Sequence, residues 1–270
     1  LPGILPPLTD AEALEVAAIA SIGNGFDMRR WGHRPFRAPH HTASGVALVG
    51  GGSHPKPGEI TLAHHGVLFL DELPEFDRRV LEVLREPLER GAITISRAAR
   101  QADFPARFQL IAAMNPCPCG YLGDHSGRCR CTPEQVLRYR GRLSGPLLDR
   151  IDLQLFVPRV ERQQLLDSDA RSEDSASVRA RVIAARQRQL QRQDKPNAQL
   201  SVRELERWAY PDAEARALLQ QAMQKLNLSA RAYHRVLKIA RSIADLEPAD
   251  AVGSGHIAEA LRYRDAVQQI

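Results

Sequence analysis

Apolar runs without polar alternation mark the first part of the chain. Residues 66–70 and 110–114 contain no polar side chain, and a third apolar stretch covers residues 152–157. Such runs are typical of strands buried on both faces of a parallel sheet. Helical patterns separate them, at residues 9–22 and 76–90. Strands that alternate with helices favour parallel pairing through crossovers, so the pattern predicts an α/β core with a parallel sheet.

Local signals set the ends of both helical patterns. Thr9 and Glu12 have the spacing of a capping box, so the first helix is expected to begin there. The second pattern places four apolar residues on one face, and Gly91 is suited to end it. Those four residues are Val80, Val83, Leu84 and Leu88.

Two short β patterns follow and predict a β-hairpin at about residues 91–109. They cover residues 92–96 and 104–109, with Arg97 and Arg100 near the turn. Two interpretations of this basic tip remain open. It is either a solvated surface or a contact with DNA phosphates that does not read the base sequence.

Helical patterns dominate the last hundred residues and predict a second domain. A long arginine-rich pattern occupies residues 177–193, and Ser229 is a suitable N-cap for a later helix. Four more helices are expected at residues 201–209, 211–226, 229–246 and 255–269. The boundaries predicted are an α/β core over residues 1–160, a linker with the arginine-rich helix over 161–200, and a helical bundle over 201–270. The arginines suit a solvated helix face, with a groove for phosphates as the alternative.

Composition adds only broad limits. A chain of 270 residues can hold two domains, and its net charge of +5 permits a polyanionic partner without requiring one. No apolar stretch reaches the roughly 18–20 residues of a membrane-spanning helix, so no membrane contact is expected. Aromatic residues make up 5% of the chain, which argues against single-strand binding based mainly on base stacking.

Two adjacent acids, Asp71 and Glu72, follow the first apolar run directly. The carboxyl ends of parallel strands are where open α/β sheets bind ligands. Neighbouring strand residues point to opposite faces, so one acid can hold a hydrated Mg²⁺ while the other faces a water molecule. This is the Walker B arrangement of nucleotide hydrolases. A buried strand that ends in a solvated acidic loop is the alternative.

The phosphate-binding string that accompanies Walker B, G-x-x-x-x-G-K-[ST], does not occur in the 270 residues. The nearest glycine cluster, residues 50–52, has no Lys followed by Ser or Thr behind it. Residues 1–7 look like the Pro/Gly stop of a preceding helix. We therefore expect the strand, loop and helix that bind the phosphates to lie upstream of this chain.

Four cysteines form two Cys-x-Cys pairs within fifteen residues: Cys117, Cys119, Cys129 and Cys131. In a chain without secretory features, metal binding is favoured over disulfides. Four thiolates can close a tetrahedral Zn²⁺ site, and the glycines between the pairs let the backbone turn sharply. One intervening residue within a pair departs from the usual two. Reduced thiols and disulfides are the alternatives.

Four elements follow one another in the order of AAA+ ATPases. The acid pair comes first, then Asn115 after the second apolar run, Arg150 before the third, and Arg231 at a helix start. Longer segments make nearly the whole chain similar to the magnesium-chelatase-like AAA+ family. They are residues 34–41, 55–60, 62–72, 113–116 and 148–150. The cysteine insertion after Asn115 resembles the ComM branch, also called YifB, and not the subunit of the porphyrin-metallating enzyme.

The resemblance implies a P-loop-type αβα core with a helical lid, and a role in ATP hydrolysis for each of these residues. Asp71 would bind Mg²⁺ through water, Glu72 would orient the attacking water, and Asn115 would contact that water or the γ-phosphate of ATP. Arg150 would act as an arginine finger toward a neighbouring subunit, and Arg231 would reach the phosphates from the lid.

Structural roles compete with these functional ones when the residues are considered alone. Glu72 can be a surface acid, Asn115 a turn residue, and Arg231 a charge on a helix face. Arg150 can form a salt bridge with one of the two aspartates near it. The resemblance favours the functional role in each case.

The resemblance further implies a bacterial, cytoplasmic homohexamer that uses ATP and Mg²⁺ to move DNA. In the ComM branch the expected task is branch migration of recombination intermediates during natural transformation, and a Lon-protease-like domain would precede the ATPase. Arg97 and Arg100 would lie on the pre-sensor 1 hairpin and meet DNA phosphates in a central pore. The alternatives are a chelatase subunit that drives Mg²⁺ insertion into a porphyrin and an interaction module that has lost catalysis.

The resemblance also predicts a gap in the sheet. In AAA+ proteins the strand before the phosphate-binding loop lies between the strand that ends at Asn115 and the one that begins at Asp152. If that strand lies upstream of the chain, its place should be empty or filled by another element.

Four histidines occur as two adjacent pairs, at residues 40–41 and 64–65. Four imidazoles suggest a metal site, but adjacent residues rarely bind one ion together. Capping or subunit contacts are therefore the preferred interpretation.

Overall fold

The computed structural model describes residues 1–23, 25–51, 56–97, 100–124, 127–158, 173–226 and 228–265. The chain divides into two compact units. The sheet unit contains residues 7–151, and the helical unit contains residues 152–270 together with most of residues 1–6. Each unit has a hydrophobic core of its own.

The sheet unit contains the described strands. Strands β1 to β7 cover Phe36–Arg37, Gly50–Gly51, Lys56–Pro57, Val67–Leu70, Ala92–Arg97, Arg100–Pro105 and Gln109–Ala112. A parallel sheet has the order β1-β4-β7, and Val67 pairs with both Phe36 and Gln109. β2 pairs with β3, and β5 with β6, as separate antiparallel ladders. The predicted mixed α/β core with a parallel sheet is confirmed.

β4 is central because the run that forms it is almost completely buried. Leu68 and Leu70 are 0% exposed. Phe69 is only partly buried and stacks on Phe36, with ring centroids 6.1 Å apart. The surrounding core includes Leu48, Ile60, Phe76, Leu81, Leu84, Ile93 and Leu147.

Helices α1 to α7 belong to the same unit. They cover Asp10–Ile22, Gly45–Val49, Glu59–Leu62, Arg78–Val83, Arg85–Arg90, Pro133–Arg140 and Gly145–Leu148. The predicted capping box of α1 is present, since Thr9 Oγ1 accepts the Glu12 N–H and Glu12 Oε2 accepts the Thr9 N–H.

The single helix predicted over residues 76–90 is wrong. The chain forms a 3₁₀ turn at Leu73–Glu75 and then two short helices, α4 and α5, which meet at Leu84. Pro87 has no N–H to donate to the carbonyl four residues earlier, so a regular helical ladder cannot cross this point. Gly91 does end α5, in the left-handed conformation with φ 67°.

The strand predicted over residues 152–157 is also wrong. Its apolar residues Leu153, Leu155, Phe156 and Val157 are between 48% and 82% exposed. A strand needs a neighbour for its backbone groups, and none of the described strands pairs with this segment. The Gln154 N–H donates instead to the Tyr263 carbonyl, at 2.6 Å.

β7 forms one edge of the parallel sheet. Within the described residues no strand pairs with its outer side. The place where the resemblance predicts a gap is thus an unpaired edge.

The helical unit contains helices α8 to α12. They cover Ser175–Gln193, Val202–Trp208, Ala213–Lys225, Ala230–Leu246 and Ser254–Asp265. Ser229 caps α11 as predicted, accepting the Ala232 N–H at 3.2 Å. Val236, Leu237, Ala240 and Ile243 on α11 pack in the core.

The sequence analysis missed a buried ionic network in this unit. Asp245 is 1% exposed and pairs with Arg192 at 2.6 Å and Arg241 at 3.0 Å. Asn197 Nδ2 also donates to Asp245, at 2.8 Å. Arg188 donates to the Asp245 carbonyl, so two arginines of α8 serve the interior of the unit and not a solvated face.

Among the described residues, no helix is both long enough and apolar enough to cross a membrane.

Candidate functional site

Asp71 and Glu72 form a turn at the carboxyl end of β4. The strand ends at Leu70, and the Glu72 N–H donates to Asp71 Oδ1 at 2.9 Å. Glu72 adopts the left-handed conformation, with φ 52° and ψ 47°. The expectation that the acids alternate like strand residues is therefore wrong. Non-glycine residues in this conformation carry strain and cluster at functional sites.

Asn115 lies at the same edge of the sheet as the acid pair. β4 and β7 run parallel in register, with Leu70 opposite Ala112. Just beyond the strands, the Ala113 N–H donates to the Leu70 carbonyl and the Leu73 N–H donates to the Ala113 carbonyl, both at 2.9 Å. This exchange fixes the acid turn and the chain before Asn115 against each other.

The backbone of Asn115 lies near the hydroxyl of Tyr139, a buried residue of α6. Burial, with a smaller contribution from Glu75, raises the pKa of Tyr139. The Asn115 side chain lies beside Gly120, where an added Cβ would be 3.7 Å from its Cγ and Oδ1. Tyr139 and Gly120 were not identified from the sequence, which carries no local signal for either contact.

His41 is a partner of Glu72 that the sequence analysis also did not assign. Its Nδ1 lies 3.1 Å from Glu72 Oε2. The His41 ring packs edge-on against Phe76 and lies 4.1 Å from the ring of His40. The first histidine pair therefore adjoins the acid turn.

Arg150 is paired within the sheet unit. Its side chain is 6% exposed and its Nη2 lies 2.6 Å from Glu89 Oε1. Nη1 donates to the Pro146 carbonyl, and Nε is buried without a described partner. The described ion pair therefore joins Arg150 to Glu89, 61 positions earlier in the chain, and not to Asp149 or Asp152.

The remaining predicted arginines lie on α11 and on the β5–β6 hairpin. Arg231 lies in the first turn of α11 and is exposed, in the helical unit. Arg97 pairs with Arg100 at the end of the β5–β6 hairpin, so a hairpin is present where one was predicted. Its second strand is Arg100–Pro105, however, and not the predicted residues 104–109. The side chains of Arg97 and Arg100 lie outside the described residues.

The second histidine pair converges with Glu15 of α1. The Nε2 atoms of His64 and His65 both lie 2.9 Å from Glu15 Oε2. His64 Nδ1 accepts the Arg107 N–H at 3.0 Å, so the proton of the neutral ring is on Nε2. A protonated nitrogen has no lone pair for a metal ion, so this cluster is a hydrogen-bonded one. Burial lowers the pKa of His64, and hydrogen bonds from both histidines lower that of Glu15.

The four cysteines come together in the loop between β7 and α6. Each offers a sulfur, and the four sulfurs lie within 4.8 Å of one another. All four are free thiols in the structure. The Tyr121 N–H, together with neighbouring thiols, lowers the pKa of Cys119 to about 6. The sequence prediction of a cysteine cluster with metal-ligand character is thus supported by geometry.

The acid turn has the donor set that Mg²⁺ prefers. Asp71 is exposed and offers carboxylate oxygens beyond the one that accepts the Glu72 N–H. Bound Mg²⁺ would neutralise charge on a phosphate chain. Asn115 offers an amide at the same edge, so these residues fit the metal and water end of a nucleotide site.

Comparison with known proteins gives consistent matches along the chain. The family described as "Magnesium chelatase, subunit ChlI" matches residues 1–165, and its C-terminal counterpart matches residues 172–264. The protein is 53% identical over 266 residues to "Uncharacterized protein YifB" of Salmonella typhimurium, covering 98% of this chain and 52% of that protein. It is 52% identical over 270 residues to "Competence protein ComM" of Haemophilus influenzae, covering 99% and 52%. The chain thus spans about half the length of these relatives.

A more distant similarity reaches a DNA replication protein. "Maternal DNA replication licensing factor mcm6" of Xenopus tropicalis is 26% identical over 217 residues, which covers 76% of this chain and 25% of that protein. The two family matches together cover nearly all of the present sequence. The chain belongs to the magnesium-chelatase-like family that includes ComM and YifB.

Proposed function

We propose that the chain is part of an AAA+ ATPase that hydrolyses ATP and moves along DNA, with branch migration during natural transformation as its task. The observation that carries the proposal is the edge of the parallel sheet where Asp71, Glu72 and Asn115 meet. Phosphoryl transfer depends mainly on positioning and on charge stabilisation, which a fixed carboxylate pair and an amide provide. The competence protein among the relatives and the match to a DNA replication factor support DNA as the partner.

Each site residue has a proposed role within this function. Asp71 would hold Mg²⁺ through its water shell, Glu72 would polarise the attacking water, and Asn115 would orient that water or the γ-phosphate. Glu72 is half exposed beside His41, so it can turn toward a water without breaking a buried contact.

We propose a homohexamer in which Arg150 acts toward the neighbouring subunit. Arg150 is now paired with Glu89, whose side chain is 38% exposed. To reach a phosphate it would have to exchange that carboxylate for another anion, and a subunit contact over Glu89 would favour the exchange. Arg231 would act from the helical lid in cis. The domain limits remain the proposed 1–160, 161–200 and 201–270.

ATP turnover by the intact protein, with and without DNA, tests the proposal. DNA should stimulate turnover, and Glu72→Gln should lower it by roughly 10²–10⁴-fold while DNA binding is kept. Glu75→Gln, in the 3₁₀ turn beside it, is the matched control and should retain most of the turnover. No effect of DNA on turnover, together with no DNA binding at low salt, would refute a DNA motor.

The second candidate is an ATPase subunit that drives Mg²⁺ insertion into a porphyrin. It is supported by the description of the matching family. Turnover that ignores DNA but supports porphyrin metallation with partner subunits would favour it. No turnover under any of these conditions would favour an interaction module without catalysis.

A further inference from the structure

The four cysteine sulfurs have the spacing of ligands around a single ion. In a tetrahedral site with Zn–S bonds of about 2.3 Å, neighbouring sulfurs lie roughly 3.8 Å apart. The measured separations are 3.4 Å for Cys117–Cys119, 3.8 Å for Cys117–Cys129 and 3.7 Å for Cys119–Cys129. With Cys131 included, every ligand pair stays within 4.8 Å. The sulfurs therefore surround a point instead of lying in a row.

Other uses of four cysteines fit this geometry less well. A disulfide needs its sulfurs about 2.05 Å apart, whereas Cys117 and Cys119, the nearest of the three pairs measured above, have their sulfurs 3.4 Å apart. In an iron–sulfur cluster the four cysteines are divided between two irons or among four, so sulfurs on different irons lie further apart than four ligands of one ion. Tetrahedral sites made of four sulfurs hold zinc or iron, and four cysteines around one ion are a common structural zinc site.

The loop is shaped to bring the two pairs together. The Gly120 N–H donates to the Cys117 carbonyl at 3.0 Å, which closes a tight turn around Cys119. Gly120 and Gly127 adopt φ of 78° and 62°, which side chains disfavour. Cys117 is completely buried and Cys119 is exposed, so one ligand anchors the site to the sheet unit and another faces solvent.

We propose that Cys117, Cys119, Cys129 and Cys131 bind one Zn²⁺, and that this ion holds Asn115 in position. Cys117 follows Asn115 by two residues, and Cys131 immediately precedes Thr132, the N-cap of α6. The ion would therefore join the end of β7 to the start of α6.

Helix α6 in turn contacts the chain at Asn115 and Pro116. Arg140 Nη2 donates to the Pro116 carbonyl at 3.2 Å, and the Tyr139 hydroxyl lies near the Asn115 backbone. The Asn115 side chain also lies against Gly120, next to the ligand Cys119. Without the ion, the four bonds that would hold the two cysteine pairs around one point are lost, and Asn115 loses one side of its support. Asn115 is a residue of the proposed site, and the ion is a positioning element.

Metal content and amide exchange of the 270-residue chain test the two parts of the proposal. The purified chain should contain about one zinc per molecule. Cys119→Ser and Cys131→Ser should each lower this to below roughly a tenth of an equivalent. Arg130→Ala, an exposed change between two ligands, should keep the zinc. After metal removal, Co²⁺ should restore binding with the strong visible absorption of a tetrahedral thiolate site. This readout does not depend on variants that fold poorly.

Hydrogen exchange reports on Asn115 itself. Removing the metal should speed exchange of the Asn115 amide by at least about tenfold while amides of β4 keep their protection. Zinc below a tenth of an equivalent in chain grown with zinc, with no uptake of Co²⁺, would overturn the site. So would stoichiometric iron. Unchanged exchange at Asn115 after metal loss would overturn the positioning role. The catalytic value of that role rests on the proposed function, but zinc binding does not, so the two can fail separately.

Discussion

Single carboxylates in this molecule are held very differently, and the difference matches what each can do. Glu72 has one described ion-pair partner, His41, and is half exposed, so the pair contributes little to stability. Glu15 accepts hydrogen bonds from two histidines, and one of them, His64, is buried. We therefore expect the Glu72 carboxylate to leave His41 easily for another partner. The Glu15 cluster, in contrast, should have a structural role.

His64 should make the stability of the chain depend on pH. Burial lowers its pKa in the folded protein, and its Nδ1 accepts the Arg107 N–H, which a doubly protonated ring cannot do. His64 of the unfolded state takes up a proton near pH 6.5, so the full contribution of His64 to the free energy of unfolding is present above that pH. This contribution falls as the pH drops from 6.5 toward the pKa of His64 in the folded protein, by at most about 1.4 kcal/mol per pH unit. The free energy of unfolding in urea, measured from pH 7.5 to 5.5, checks this.

The variant His64→Gln separates His64 from other titrating groups. Glutamine can still donate to Glu15 but does not titrate, so the decline below pH 6.5 should become flatter. His33→Gln, at an exposed position, should keep the original decline. Identical pH dependence in wild type and His64→Gln would contradict the assignment. Glu15 acts at lower pH, since its lowered pKa gives stabilisation that is lost only below its ordinary value of 4.5.

The sequence predicted which residues lie at the site better than it predicted the residues that they contact. Asp71, Glu72 and Asn115 follow apolar runs, and strand ends of a parallel sheet meet at one edge, so their proximity could be predicted. The Glu89 partner of Arg150 is 61 residues away, and the Glu15 partner of His64 is 49 residues away. Tertiary packing decides such pairs, and no local pattern reports them.

At the level of elements, the sequence correctly predicted those features of helices and strands that depend on neighbouring residues. The Thr9 capping box, the Gly91 stop and the β5–β6 hairpin all depend on residues close in sequence. The strand predicted at residues 152–157 depends on a neighbour, and no described strand pairs with it. The sequence alone cannot supply that information.

Asp245 on α11 should be a strong determinant of the helical unit's stability. It forms ion pairs with both Arg192 and Arg241, and Arg241 is only 2% exposed. Asp245→Ala removes the buried counter-charge of these arginines, so the free energy of unfolding should fall by about 3–5 kcal/mol. Chemical denaturation of the chain measures it, with Glu206→Ala, an exposed carboxylate on α9, as control.

A second substitution tests the cause of that loss. Combining Asp245→Ala with Arg241→Met removes part of the uncompensated charge, so the double variant should regain some stability. A double variant that is less stable than Asp245→Ala alone would show that packing, and not charge, accounts for the loss.

The β5–β6 hairpin should contribute nonspecific DNA affinity in the intact protein. The double variant Arg97→Ala and Arg100→Ala should bind DNA more weakly, and its plot of log affinity against log salt should be shallower by up to about 2. The control Arg29→Ala with Arg138→Ala removes the same charge from exposed positions elsewhere. Equal salt slopes for the two double variants would remove the hairpin from the DNA-binding surface.

At the scale of the whole molecule, the chain contains residues for the metal ion and the water of a nucleotide site but no phosphate-binding loop sequence. Asp71, Glu72 and Asn115 provide acids and an amide for a metal ion and a water. The 270 residues contain no G-x-x-x-x-G-K-[ST] string, whose amides and lysine hold the phosphates in nucleotide hydrolases. Arg231, the proposed phosphate contact from the lid, is an exposed residue in the first turn of α11.

The 270-residue chain by itself should therefore bind ATP weakly. An acid pair repels the triphosphate unless Mg²⁺ is present, and a single bound metal cannot replace a ring of backbone amides. We expect a dissociation constant weaker than roughly 1 mM in isothermal titration with Mg²⁺ and ATP. Asp71→Asn should leave this weak binding nearly unchanged, because most of the phosphate contacts are missing already. In the intact protein the same substitution should lower turnover strongly. Binding near micromolar by the isolated chain would mean that its residues hold the phosphates in some other way, and the assignment of Asp71, Glu72 and Asn115 to the metal and water end of a larger site would then be wrong.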